Sequence, residues 1–127
     1  MAATRTYSHV GAEGGEGAIA TGLLTSAATP LAELLEVGFQ PSRIEIVNYT
    51  STNTLVYIWT KGMTSGNAYL MTGSTGVYTK VTGGPTVFTG GAFLKDSTTV
   101  YTECPAGFVI PAALQSNADT WSWTAWR

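Results

Sequence analysis

Downstream of Gly38 the chain alternates apolar and polar residues with a period of two, the pattern of half-buried β-strands. RIEIVNY sets Ile44 and Ile46 on one face with Asn48, and Glu45, Val47 and Tyr49 on the other. After a TSTN turn, TLVYIWT sends Leu55, Tyr57 and Trp59 to one side and Val56 and Ile58 to the opposite one. Both faces of that segment are apolar, which marks a central strand, either covered on each side by a second layer or turned toward a subunit interface. AYLMT and GVYTKVT flank GSTG and predict a hairpin. PTVFTG and STTVYTE continue the pattern, and the last strands fall at GFVIP and TWSWTAW, separated by AALQSNAD. About seven or eight short strands, with turns rich in Gly, Ser and Asn, predict an all-β fold: an antiparallel β-sandwich, jelly-roll-like.

The leading residues read differently. Residues 1–28 predict an extended N-terminal arm, because GAEGGEGAIA has no periodicity to fix it except by lying on a neighbour. The sandwich domain is then 29–127. Its first stretch, TPLAELLEVGF, leaves two alternatives. One is a two-turn helix with Thr29 as N-cap, Pro30 at the first helical position and Gly38 as terminator. Glu33 and Glu36 would form its wet side. The other is an extended segment crossing the surface.

Composition changes the picture in one respect. A chain of 127 residues has the length of a single domain with a sizeable core. Only 11% of residues are charged, and the polar bulk is carried by 21 Thr and 9 Ser. This neutral surface suits a chain covered by partners in its working state. The cations Arg5, Arg43, Lys61, Lys80, Lys95 and Arg127 are scattered and form no basic stripe, so no nucleic-acid partner is expected. No apolar run approaches ~18 residues, so neither a membrane-spanning helix nor a membrane partner is expected. MAATRTYSHVGAEGG lacks the apolar segment of a secretion signal. The single cysteine, Cys104, reads as a buried small hydrophobe.

Candidate chemistry is sparse. His9 is the one histidine, with no second ligand to make a zinc site and no orienting group to join Ser8 in nucleophilic catalysis. GAEGGEG is glycine-rich but lacks the Lys and Ser/Thr of a phosphate loop, and Glu13 and Glu16 would repel phosphate. Glu45, Asp96, Glu103 and Asp119 sit apart, and no local pattern proposes a glycosidase pair. Asn48-Tyr49-Thr50 fits a glycosylation acceptor pattern, which carries no weight without a secretion signal. No catalytic residue, metal site or cofactor is expected.

The aromatic residues carry more. In TWSWTAWR the period of two puts Trp121, Trp123 and Ala125 on one face and Ser122, Thr124 and Trp126 on the other. The first pair of tryptophans is expected in the core beside Tyr57 or Trp59, or else as a sugar-stacking platform. Trp126 is expected against another chain, with Arg127 closing a polar contact at the rim. Together with Tyr7, His9, Glu13 and Glu16 of the arm, these are the interface candidates.

GFQPSRIEIVNYT, YIWTKGM, and GFVI followed by NADTWSWTAWR together resemble small β-rich structural proteins of tailed bacteriophages, capsid decoration (cement) proteins and fibre-type modules. Gly38, Phe39, Pro41, Ile44, Ile46 and Asn48 match the strand-entry signal. Gly107, Phe108, Ile110, Asn117, Trp123, Ala125 and Arg127 match the closing one, with Ile110-Pro111 where an Ile-Gly turn is expected. The resemblance covers residues 38–127. It implies a non-enzymatic virion protein of the shell or tail, made in the host cytoplasm; the arm, the two-faced central strand and Trp126 favour the capsid surface over the tail. It also implies a symmetric homo-oligomer, a trimer in preference, bound to the major capsid protein or another virion protein. The alternative is a tail-fibre or receptor-binding module that stacks host sugars on Tyr69, Tyr78, Tyr101 and the tryptophans. A cellular carbohydrate-binding β-sandwich is a third reading.

Overall fold

A computed structural model describes residues 4–10, 18–50, 54–73, 76–94, 99–115 and 119–127. In chain order the strands are β1 (Thr4–Val10), β2 (Ile19–Thr25), β3 (Glu33–Leu35), β4 (Arg43–Asn48), β5 (Leu55–Thr60), β6 (Asn67–Thr72), β7 (Tyr78–Thr82), β8 (Thr86–Phe88), β9 (Gly91–Leu94), β10 (Val100–Cys104), β11 (Gly107–Ile110) and β12 (Thr120–Trp126). One 3-10 turn spans Ala112–Leu114, and no α-helix occurs among the described residues. The chain is therefore all-β, and every strand pairing is antiparallel.

Seven strands form the larger sheet in the order β1-β2-β12-β4-β5-β6-β7, and a three-stranded sheet, β3-β11-β8, packs over it. A separate hairpin joins β9 and β10. β2 pairs with β12 while the next strand, β3, pairs with β11, the strand before β12. Two chain segments thus run side by side and fold together from one sheet to the other.

The core fills the gap between the layers. Trp121, Trp123, Ile44 and Ile46 point inward from the large sheet, and Leu35, Phe108 and Ile110 meet them from the small one. Phe108 stands edge-on to Trp123 at 5.5 Å, and Tyr57 lies 6.1 Å from Trp121. Burying an indole of roughly 150–250 Å² contributes about 4–6 kcal/mol at ~25 cal/mol per Å². An indole N–H without an acceptor costs about 1–3 kcal/mol. The Nε1 groups of Trp121 and Trp123 have no acceptor among the described residues, and burial outweighs this cost at both. Cys104 is buried, as its sequence context predicts.

The expected arm is where the structure departs most from the sequence reading. Residues 19–25 are β2, hydrogen-bonded to β1 on one side and β12 on the other, so they are an interior strand and not an extended arm. Ala18, Ala20, Leu24 and Ala27 are buried. The reason is steric at one position and packing at the others: Gly22 lies opposite Trp123, while Leu24 opposite Trp121 and Ala20 opposite Ala125 are buried in the core. A Cβ on Gly22 would overlap the Thr6 carbonyl oxygen and come within 2.6 Å of the Trp123 ring. β1 and β2 thus share the sheet of β4–β7, and a boundary at residue 28 separates nothing. Residues 11–17, with Glu13 and Glu16, lie outside the described residues.

Of the alternatives at 29–37, the chain takes the extended one. Glu33, Leu34 and Leu35 are all buried, which a surface helix with one wet side could not achieve. Glu33 is not on a wet face; it forms an ion pair with Arg5 of β1, tying the edge strand to the second layer. Gln115 is buried nearby and donates from Nε2 to the carbonyls of Leu31 (2.7 Å) and Ile110 (3.2 Å).

Burial raises the Glu33 carboxyl above its ordinary pKa of 4.5, against the lowering pull of Arg5. The folded chain then holds this proton more tightly than the unfolded chain. That contribution to stability is full below the ordinary value and is lost as pH rises through the raised one. Melting temperatures measured from pH 4.5 upward are expected to show wild type losing ground against Glu33→Gln as the pH increases. A difference independent of pH would contradict the burial argument. Trp123→Ala is expected to cost about 3–5 kcal/mol in denaturant unfolding.

Candidate interaction surface

With its inner face under the small sheet, the large sheet turns a second face outward. Strand register assembles that face in continuous rows. One runs Leu23, Ser122, Val47, Val56, Met71, Tyr78 across β2, β12, β4, β5, β6 and β7. The next runs Thr21, Thr124, Glu45, Ile58, Tyr69, Lys80 over the same strands. A third row holds Ile19, Trp126, Arg43 and Thr60. An antiparallel sheet with one face to water ordinarily alternates apolar-in with polar-out. Here the middle of the outer face is Val47, Ile58 and Met71, each half-buried, around Val56, which is buried. Leu23, Tyr69 and Tyr78 are 38%, 47% and 50% exposed at its flanks.

Trp126 belongs to this face, half-buried at the end of β12. The Arg43 guanidinium lies over its ring at 5.2 Å, so part of its cover comes from its own chain. Its carbonyl oxygen accepts hydrogen bonds from the Ser42 amide at 2.7 Å and the Ser42 hydroxyl at 3.3 Å. Arg43 also pairs with Glu45 at 3.4 Å, an exposed contact worth about 0–1 kcal/mol. The Arg127 amide donates to the Ala18 carbonyl at 3.0 Å. Its exposed side chain lines an open cleft of about 410 Å³ with Trp59, Lys61 and Met63.

Of the other predicted interface residues, Tyr7 does not join Trp126. Tyr7 stands on the inner side of β1, edge-on to Trp123 at 5.6 Å, and its hydroxyl accepts from the Glu36 amide at 3.4 Å. That placement makes it a lid on the core edge, though it is 40% exposed. His9 lies in β1 in register with Ala20. Glu13 and Glu16 fall outside the described residues. Sequence reasoning found Val56 and Ile58 through the two-faced strand. It missed Leu23, which it had assigned to the arm, and Arg43, whose role depends on a ring 83 positions away (126 − 43).

Several carboxylates are engaged within the chain. Glu33 pairs with Arg5, Glu45 with Arg43, and Asp119 accepts a hydrogen bond from the buried Asn48 at 2.8 Å. No cluster of His, Cys, Asp and Glu able to hold a metal ion occurs among the described residues. No helix among them is long and apolar enough to cross a membrane. Comparison with protein-family models, with curated proteins and with solved structures found no match in any of the three.

The Arg43–Trp126 contact is open to a direct check. A double-mutant cycle of Arg43→Ala and Trp126→Ala in denaturant unfolding is expected to give a coupling of about 0.5–1 kcal/mol. Zero coupling would mean that the ring is held by its strand alone.

Proposed function

We propose that this chain is a non-enzymatic structural protein of a tailed-bacteriophage virion, a decoration protein that binds the capsid surface and stabilises it by adding buried area between subunits. The observation that carries the reading is the outer face of the seven-stranded sheet, apolar at its centre where a lone domain would place polar side chains, which supports a chain that works as a symmetric assembly and meets the shell through its other surfaces. The low charge and the abundance of threonine and serine support it, since such a surface loses little on being covered. The resemblance of residues 38–127 to phage virion proteins supplies the particle. Nested pairing of β2 with β12 and β3 with β11 supports a jelly-roll-like description of the sandwich. A ligand that binds only the assembled shell stabilises it by mass action, which is how a small protein without catalysis strengthens a large particle.

A receptor-binding module on the tail is the second reading. It is favoured by Tyr69 and Tyr78, about half exposed and on one face beside Lys80. Such rings can stack on sugar.

Purified protein mixed with mature shells lacking it is expected to co-sediment to a fixed number of copies per shell and to raise the shell's melting temperature. Absence of binding would overturn the decoration reading. Glycan-dependent quenching of the tyrosine and tryptophan fluorescence, in protein that ignores shells, would put the tail module in its place.

A further inference from the structure

We infer that the outer face of the seven-stranded sheet is covered by the same face of a second copy of this chain, so that two sandwiches stack back to back about a two-fold axis. The inference rests on the assembly reading above and deepens it by naming the partner at that surface.

Area comes first. Seven strands at ~4.8 Å spacing and six residues at ~3.3 Å each give a face of about 34 by 20 Å, roughly 680 Å². A standard stable interface buries about 800 Å² per partner, so one copy of this face against another comes close to that size with side-chain relief still to be added. Shape comes second. Sheets stack about 10 Å apart when their facing side chains interdigitate, and a surface of the half-buried Val47, Ile58 and Met71 interleaved with Thr21, Ser122 and Thr124 is fit for that. No glycine or proline interrupts either of its two main rows.

Charge comes third. Among the described residues, the face carries Arg43, Glu45 and Lys80, and the first two already neutralise each other. Pressing two such faces together therefore brings little like charge into contact. The hydroxyls of Thr21, Ser122 and Thr124 can bond across the join, so their burial need not leave them unsatisfied. A single patch that meets its own kind closes on a two-fold axis, whereas a three-fold ring needs two different patches on each chain. The pairing therefore departs from the trimer implied by the phage resemblance.

The test is the mass of the full chain by light scattering at micromolar concentration, expected to be that of two chains. Ile58→Lys and Thr124→Arg should each bring it down to one chain, 13.3 kDa, with the β-sheet circular dichroism retained. Thr124 is a partly exposed hydroxyl-bearing strand residue, so its replacement is the gentler of the two. Leu94→Lys, on the exposed β9 away from this face, should leave the pair intact. A wild-type monomer, a trimer, or a dimer that survives Thr124→Arg while folded would each overturn the inference. Shell binding is a separate readout. A dimer that ignores shells would sink the decoration reading alone, and a monomer that binds them would sink only the pairing.

Discussion

Burial of Trp121 and Trp123 in one core, Trp123 against Phe108 and Trp121 against Tyr57, is the constraint from which the other contacts follow. Both rings hang from β12, which is hydrogen-bonded to β2 on one side and β4 on the other. The last strand of the sequence is therefore an interior strand of the sheet. The Trp123 ring and the Thr6 carbonyl leave no space for a side chain between them, which requires Gly22 in β2, whereas Leu24 is accommodated opposite Trp121. Gly107 answers a similar demand in the second layer, where a Cβ would run into the Leu35 carbonyl. Trp123 thus dictates a glycine at its neighbour in β2.

The same alternation that drives the tryptophans inward sends Ser122, Thr124 and Trp126 outward. With Val47, Val56, Ile58 and Met71 they build a face that is neither a core nor a normal wet surface. A sheet of this width with nonpolar residues at its middle gains by excluding water from them. The scarcity of charge fits the proposed pairing, since a surface covered by a partner would lose the hydration of every charge it carried. Trp126 sits at one corner, partly sheltered by Arg43.

Polar groups at the margins act as fasteners. Arg5 and Glu33 clamp the edge strand to the opposite layer, Asn48 holds Asp119 at the entry to β12, and Gln115 secures the segment before β3. Each joins parts of the chain distant in sequence. These acids and amides therefore serve cohesion, which agrees with a protein that acts by presenting a shape.

The strands from β4 to β8, and β10 to β12, were legible because their apolar residues are large and recur with period two; Ile44, Ile46 and Asn48, and Trp121 and Trp123, fall on the faces that alternation assigns. The absence of a strong local pattern in Ala18–Thr25 hid β2, since alanine and glycine carry little hydrophobic signal and show their purpose only beside a tryptophan. β3 was ambiguous because a three-residue strand has no measurable period, and its conformation is set by the Phe108 and Leu35 pairing. The two-faced character of β5 was written in the sequence, and with it the hint of an interaction surface. Which residues complete that surface was not. Leu23, Val47 and Met71 become neighbours only through strand register, and register is decided by contacts between segments up to a hundred residues apart, where local preference has no reach.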